Sequence, residues 1–582
     1  MEVKRILVRL RLALRRLSVK NKILILSLAV GCASGLSAVL LRSSVELVKT
    51  WTGADVAGPG SWRYLILPGV GMLISLFLLR NVIKDNISHG VTKVLVAVSR
   101  NESRIKPHNM WSSMLTSALT IGFGGSVGAE APIVYTGAAI GSNFARYMGL
   151  SYRNMTLMLG CGAAGAIAGI FKAPLAGVIF TMEVLLFNVT MTSILPLLLS
   201  TVSATVIAYI FTGQNAIFEC TLSPFAMVNL PFYVLLGIVC GFGSLYFTRM
   251  TLWLEDKFGK FRNPYVRWAF CAVCLGLLIF IFPSLYGEGY GFLGNLLNGG
   301  EVMEAGPWMI PFVLLAIFLL KVFSMTLTNA GGGVGGTFGP TLFEGAIMGF
   351  LIARVINLVF INSPFEVPEQ NFALVGMAAM MAGVMQAPLT AIFLIAETSG
   401  GYQLFLPLIL TSAISFGTVR IFEKYSIYTK RIAQSGDLLT HDKDQAALTL
   451  LKLSDYISDK YPHLDMNASL RKVAPVIAGS SVSVYPVVDN RNRFQGLVAM
   501  ENANTYFWNP DNLDTLYVRN IMEQPLDYIF EDERMDSVMD KFDRSQAWRL
   551  PVVREDMTYL GFISKSRILM AYRAEMKQIS EE

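Results

Sequence analysis

The chain is poor in charge. Lysine, arginine, aspartate and glutamate make up 15% of its 582 residues, while 53% are hydrophobic. A soluble globular protein carries about 25% charged residues, so an ordinary cytosolic enzyme is excluded. Cysteine and histidine are scarce too, at six and four. Cys271-x-x-Cys274 has redox or zinc spacing, but it lies in an apolar stretch with no second ligand pair and reads as two small buried hydrophobes. The histidines (His89, His108, His441 and His463) are scattered and complete no metal site. No nucleophile–base pair falls within the apolar segments, so no catalytic residue is assigned and the expectation is a protein that is not an enzyme. A nucleic-acid surface is not indicated by the net charge of +7, because residues 1–22 alone carry eight basic residues against Glu2.

The charge is unevenly placed. Residues 441–582 hold 39 charged residues in 142, with 17 basic and 22 acidic, which is normal for a soluble domain. Residues 1–440 hold the other 50, and long stretches of them are nearly bare. Between Lys106 and Arg146 the one formal charge is Glu130; between Lys172 and Glu219 it is Glu183; between Glu369 and Arg420 it is Glu397. A spanning helix needs about 20 apolar residues, so these stretches hold several. Some segments, 160–172 and 331–340 among them, read as too short or too Gly/Pro-broken to cross. Broken helices at membrane depth are tolerated only where the backbone is buried in protein or lines a cavity, which points to a transporter or channel. A basic stretch before the first apolar run, with no small-residue cleavage site after it, predicts a cytoplasmic N-terminus rather than a signal peptide.

The sequence repeats itself. Gly128-Ala129-Glu130-Ala131-Pro132 and the nine residues after it align without gaps on Gly336-Thr337-Phe338-Gly339-Pro340 and its sequel. Ala173-Pro174-Leu175, with Glu183 beyond it, matches Ala387-Pro388-Leu389 with Glu397. Interrupted hydrophobic segments at matching places in two halves point to a site at the repeat interface. The expected organisation is a basic N-terminal helix (1–22), membrane repeats at 23–215 and 230–437 with a linker at 216–229, and a soluble tail at 438–582. The tail is also doubled: Tyr485-Pro486-Val487-Val488 with Gly496 mirrors Leu550-Pro551-Val552-Val553 with Gly561. Each copy predicts two short strands leading into a helix, in units at about 450–515 and 516–578.

Glycines ahead of a helix start expose backbone N–H groups, and a helix N-terminus carries about half a positive charge. Such an end binds an anion without a full cation, and a permeating ion must also be able to leave. Gly128 and Gly336 predict two such ends aimed at one point. The bland reading of the glycines is close helix packing. Glu130, a lone carboxylate at the first of these ends, is functional by default: it competes with the anion as a tethered substitute, which makes a gate.

These motifs resemble those of the CLC chloride channels and transporters. GAEAP is similar to their G-x-E-x-P motif, and GGTFGP to their G-x-F-x-P motif; the Ala-Pro-Leu segments and Ser426-Ile427-Tyr428-Thr429 fit as well. The tail resembles that family's paired cystathionine-β-synthase (CBS) domains. The resemblance implies an all-α polytopic membrane fold of inverted repeats with broken helices plus a small α/β tandem CBS pair. It also implies a homodimer in the lipid bilayer of a cell (inner) membrane, with both termini cytoplasmic and chloride as the transported ion. By the same resemblance Glu130 is the gate, Tyr428 contacts the central anion through its hydroxyl, and Gly128, Thr337 and Phe338 contribute at the anion site. His89 stands where many members have a chloride-coordinating serine, and either binds the anion or packs at a helix turn; nitrate and fluoride therefore stay open beside chloride.

Two further departures bear on mechanism. Proton-coupled members often carry a second acid after Ala-Pro-Leu, where this chain has Val184; valine cannot relay a proton, which favours a voltage-gated channel with a passive chloride pathway over an H+/Cl− antiporter. Glu183 and Glu397 read as structural, satisfying backbone amides at helix junctions. In the tail, Asn502 and Arg567 occupy the positions of the acids that contact ribose in nucleotide-binding members, leaving an adenine nucleotide or a purely structural tail as alternatives. A membrane sensor signalling through the tail is a further, weaker reading.

Overall fold

The computed structural model describes residues 18–53, 60–85, 87, 89–100, 102–185, 191–218, 222–298, 306–360, 366–434, 451, 453–533 and 535–581. Most of the expected basic helix at 1–22 lies outside them. The chain divides into two compact units, Met1–Leu439 and Thr440–Glu582.

The first unit is helical. In chain order its helices are α1 Val19–Thr52, α2 Arg63–Phe77, α3 Gly90–Arg100, α4 Ser112–Gly122, α5 Glu130–Met148, α6 Tyr152–Phe171, α7 Pro174–Glu183, α8 Met191–Thr212 and α9 Leu230–Gly259. They continue with α10 Pro264–Ile281, α11 Tyr290–Leu297, α12 Met309–Ala330, α13 Phe338–Val359, α14 Glu369–Met385, α15 Pro388–Thr398, α16 Phe405–Phe422 and α17 Ile427–Gln434. Among the described residues, nine helical segments are long and apolar enough to cross a membrane. α1 is the longest; Ser18 caps it at one end and Gly53, in the left-handed region at φ 62°, closes the other. At 1.5 Å per residue its 34 residues reach roughly 50 Å, more than a hydrocarbon core of about 30 Å demands.

Lipid supplies no hydrophobic drive between helices, so close backbone approach does the work. α5 meets α6, and α13 meets α14, through glycines set face to face. A Cβ on Gly141 would fall 1.9 Å from the Met158 carbonyl oxygen, and one on Gly349 would fall 2.0 Å from that of Phe372. The segment 160–172 does not break as expected. Its glycines lie inside α6 and admit neighbours, and the break comes at Lys172, a non-glycine residue at φ 54°. Gln386, at φ 52°, ends α14 in the same way. An Ala-Pro pair then restarts each chain, with proline at the first helical position of α7 and α15, where its missing N–H is no loss.

The two short helices complete each other. Glu183, at the end of α7, accepts from the Leu389 and Thr390 amides at the start of α15, at 3.1 and 2.7 Å, and from the Thr390 hydroxyl at 2.7 Å. Glu397, at the far end of α15, accepts from Leu175 and Ala176 at the start of α7, at 3.1 and 2.9 Å. Helix N-termini leave donors without partners and favour negative charge, and each repeat supplies the carboxylate that the other lacks. Glu183→Ala orphans three donors, at about 1–3 kcal/mol for each buried one. The expected result is a lowered unfolding midpoint in detergent, partly restored in Glu183→Gln; thermal denaturation of the purified protein checks it.

The second unit holds two three-stranded sheets of one design. β1 Leu464–Asp465 pairs parallel with β2 Val484–Val488, which pairs antiparallel with β3 Phe494–Ala499; β4 Ile529–Phe530, β5 Arg549–Val553 and β6 Tyr559–Ser564 repeat the order. Each hairpin leads into a helix, at Met500 and at Lys565. The hairpin tips join: Phe494 donates its amide to the Met557 carbonyl, Tyr559 to that of Asn492, and the Phe494 and Tyr559 rings stack at 6.0 Å.

Candidate functional site

The two glycine-led helix starts meet. Gly128 donates its amide to the Gly336 carbonyl at 3.1 Å, and Gly336 returns the bond to Gly128 at 2.7 Å. This two-residue ladder brings the beginnings of α5 and α13 side by side. The amide of Gly128, a residue expected at the anion site, is committed to Gly336. The donors left over are the next ones along each helix.

One leftover donor beside each helix start holds a carboxylate. Glu130, buried at the start of α5, reaches across to α13, where its Oε2 accepts from the Gly339 amide at 3.1 Å. Its Oε1 accepts from the Tyr290 hydroxyl at 2.6 Å. The Ala129 amide, one residue before Glu130, donates to Oε1 of Glu288 at 3.1 Å. A carboxylate on a first-turn amide is held as a free anion would be.

Thr337 and Phe338 flank the same point. Both are buried, and the Thr337 hydroxyl lies 3.4 Å from the Tyr428 hydroxyl, so the structure brings Tyr428 to the start of α13. The Phe338 ring packs against Phe171 at 5.5 Å and Phe180 at 6.3 Å. Val184 donates its amide to Phe180, placing it one turn beyond that ring. His89 makes an ionic contact of its own. It starts α3 with its backbone in the left-handed region at φ 58°, and its ring Nε2 sits 3.8 Å from Glu255, which is already bound by Arg431 of α17 at 2.6 Å. Its ring therefore turns to a carboxylate, and Arg431 supplies the cation at that end of the site.

Four residues escaped the sequence reading. Glu288 and Tyr290 lie in a glycine-rich loop and at the start of α11. Lys321 is fully buried in α12; its Nζ donates to the Ser126 hydroxyl at 2.9 Å and the Gly287 carbonyl at 3.1 Å, and stands 4.8 Å from the Phe343 ring centroid. Glu344, the next residue on α13, is fully buried, and among the described residues neither carboxylate oxygen has a hydrogen-bond partner. The available signal was charge itself: Lys321 is the one formal charge between Glu304 and Glu344.

This arrangement matches a known family over most of the membrane unit: residues 70–420 fit the voltage gated chloride channel family. The chain belongs to the voltage gated chloride channel family. A CBS domain is matched at residues 518–574. Among relatives in that family, a protein of Ralstonia nicotianae named as ClcB-like is 28% identical over 428 residues, covering 70% of this chain and 96% of that one. An H+/Cl− exchange transporter, ClcA of Vibrio cholerae, is 28% identical over 418 residues, covering 67% and 84%. Solved structures agree on the fold. A slow cyanobacterial Cl−/H+ antiporter superposes with TM-score 0.63 at 23% identity, covering 72% of this chain and 98% of that one. A eukaryotic CLC transporter covers 94% and 98%, with TM-score 0.60 at 17% identity. The inverted-repeat CLC architecture with its α/β tail is thus the fold of this member of the voltage gated chloride channel family.

Proposed function

We propose that the protein exchanges chloride for protons across a membrane, with Glu130 as the group both ions use. The observation that carries this reading is the Glu130 carboxylate on the Gly339 amide, where an anion on α13 would sit. In its charged form the carboxylate fills the site. Once protonated it loses the attraction of the helix end, leaves, and a chloride ion takes the amides of Phe338 and Gly339 beside the Tyr428 hydroxyl. Departure of chloride draws the carboxylate back, and it gives up its proton. The names of the exchange transporters among the relatives favour exchange over the passive channel expected from Val184. Val184 itself supports the second reading, a channel, since the side chain one turn beyond Phe180 carries no proton.

The protein acts as a homodimer of the inner membrane in this reading, with one pathway per subunit. The test loads proteoliposomes with chloride and follows chloride efflux and external pH together. Proton uptake in fixed ratio to chloride release is the expected result. Release without proton uptake, stalling until an ionophore dissipates the voltage, would replace exchange with the channel reading.

A further inference from the structure

We infer that Glu288 is a second gating carboxylate, in series with Glu130. The inference rests on the proposed role of Glu130 and deepens it. The Gly128–Gly336 ladder sets two helix starts against each other, and one amide beside it on each is filled by a carboxylate: Gly339 by Glu130, Ala129 by Glu288. Ala129 directly precedes Glu130. When Glu130 swings off Gly339, the next amide an anion meets on α5 is already occupied. Moving one carboxylate leaves the path half closed.

The same short segment handles both groups. Glu288 supplies the carboxylate on Ala129, and Tyr290, two residues on, donates to Glu130. The segment is built to turn, because Gly287 and Gly289 on either side of Glu288 both lie in the left-handed region, at φ 61° and 88°, which glycine alone enters freely. It is also anchored: the Gly287 amide donates to the Gly124 carbonyl, and its own carbonyl accepts from Lys321. Departure of Glu130 breaks its bond to Tyr290 and frees the segment that carries Glu288, so the two carboxylates are linked through the chain as well as through charge. The groups facing Glu288 are Ala129 and Glu130 from α5, Tyr290 of α11, Lys321 of α12, and Lys49 and Arg42 of α1. Burial lifts the Glu288 carboxyl above the usual carboxylate range, against the pull of Lys49, the Ala129 amide, Arg42 and Lys321. It therefore takes up a proton, and gives up its charge, earlier than an exposed glutamate as the pH falls. Lys49 lies at the end of α1 remote from the basic N-terminus, which places Glu288 on the membrane face opposite that terminus.

The experiment measures chloride efflux from proteoliposomes against the pH on that face for the full-length protein, Glu130→Gln, Glu288→Gln and the double variant. Glu130→Gln is expected to keep a flux that rises as pH falls, because Glu288 still fills Ala129. The double variant is expected to lose that rise and to run about tenfold faster than Glu130→Gln at neutral pH, the ratio that one charge-assisted hydrogen bond supports. Glu288→Asp, which keeps the charge, restores the rise. A Glu130→Gln flux that is flat with pH and unmoved by Glu288→Gln overturns the second gate. Proton coupling that survives in Glu130→Gln overturns the reading of Glu130 instead, so the two failures are distinct. Where Glu288→Gln does not give a monodisperse protein, Ala129→Pro in the Glu130→Gln background removes the donor at a φ of −80° that proline reaches; a pH-dependent rise that persists there also overturns the second gate.

Discussion

Glu130→Gln is expected to pass chloride and move no protons. Glutamine has the shape of glutamate; its one carbonyl oxygen accepts from Gly339, and its NH2 donates to the Tyr290 hydroxyl oxygen instead of accepting from it. It has no charge for the start of α13 to hold and no proton to carry. A hydrogen bond to a charged group contributes about 1.5–3 kcal/mol against about 1 for a neutral one, so the side chain competes with chloride less well by roughly tenfold. Chloride efflux should therefore continue at the wild-type rate or above, while external pH stays flat. Simultaneous chloride and pH electrodes on proteoliposomes make the measurement. Continued proton uptake would mean that the proton travels by another carboxylate.

The second large effect concerns the scaffold. Gly349→Val is expected to abolish a folded, monodisperse protein. A Cβ at 349 would lie 2.0 Å from the Phe372 carbonyl oxygen, 2.6 Å from its carbon and 2.9 Å from the Ala373 Cα. All three are backbone atoms, so no side chain can yield and α13 must part from α14. Overpacking costs about 1–3 kcal/mol even where side chains adjust; here it also removes the close approach that holds membrane helices together. Gly291→Ala is the control, because a Cβ there meets nothing within 4 Å. Size-exclusion profiles in mild detergent, before and after heating, separate the two.

Much of this was legible because short motifs coincide with helix ends. Ala-Pro-Leu starts α7 and α15, and G-x-E-x-P and G-x-F-x-P start α5 and α13. A structural role for Glu183 and Glu397 followed from their isolation, but not their crossed partners, since only the packed repeats bring 183 to 389 and 397 to 175. The segment 160–172 misled because glycine is read as a breaker in water, whereas in α6 it is a contact surface. The true break at Lys172 bears no such mark. Glu288 stayed hidden for a related reason. It belongs to no periodic element, and its meaning depends on an amide 159 positions away. His89 was judged by position alone; Glu255 and Arg431, which fix its ring, come from distant helices.

The pair of hydrogen bonds between Gly128 and Gly336 has one more consequence. It works as a rivet between the two membrane repeats, at the place proposed for the ion site. Transporters that rock one half against the other open a cleft at that place. Here such a cleft would tear the rivet and strand four buried backbone groups. The moving parts are then a few side chains and one short loop, whose rearrangements run in nanoseconds to microseconds rather than the microseconds to milliseconds of whole-domain motion. In the proposed mechanism ions would traverse a nearly rigid frame.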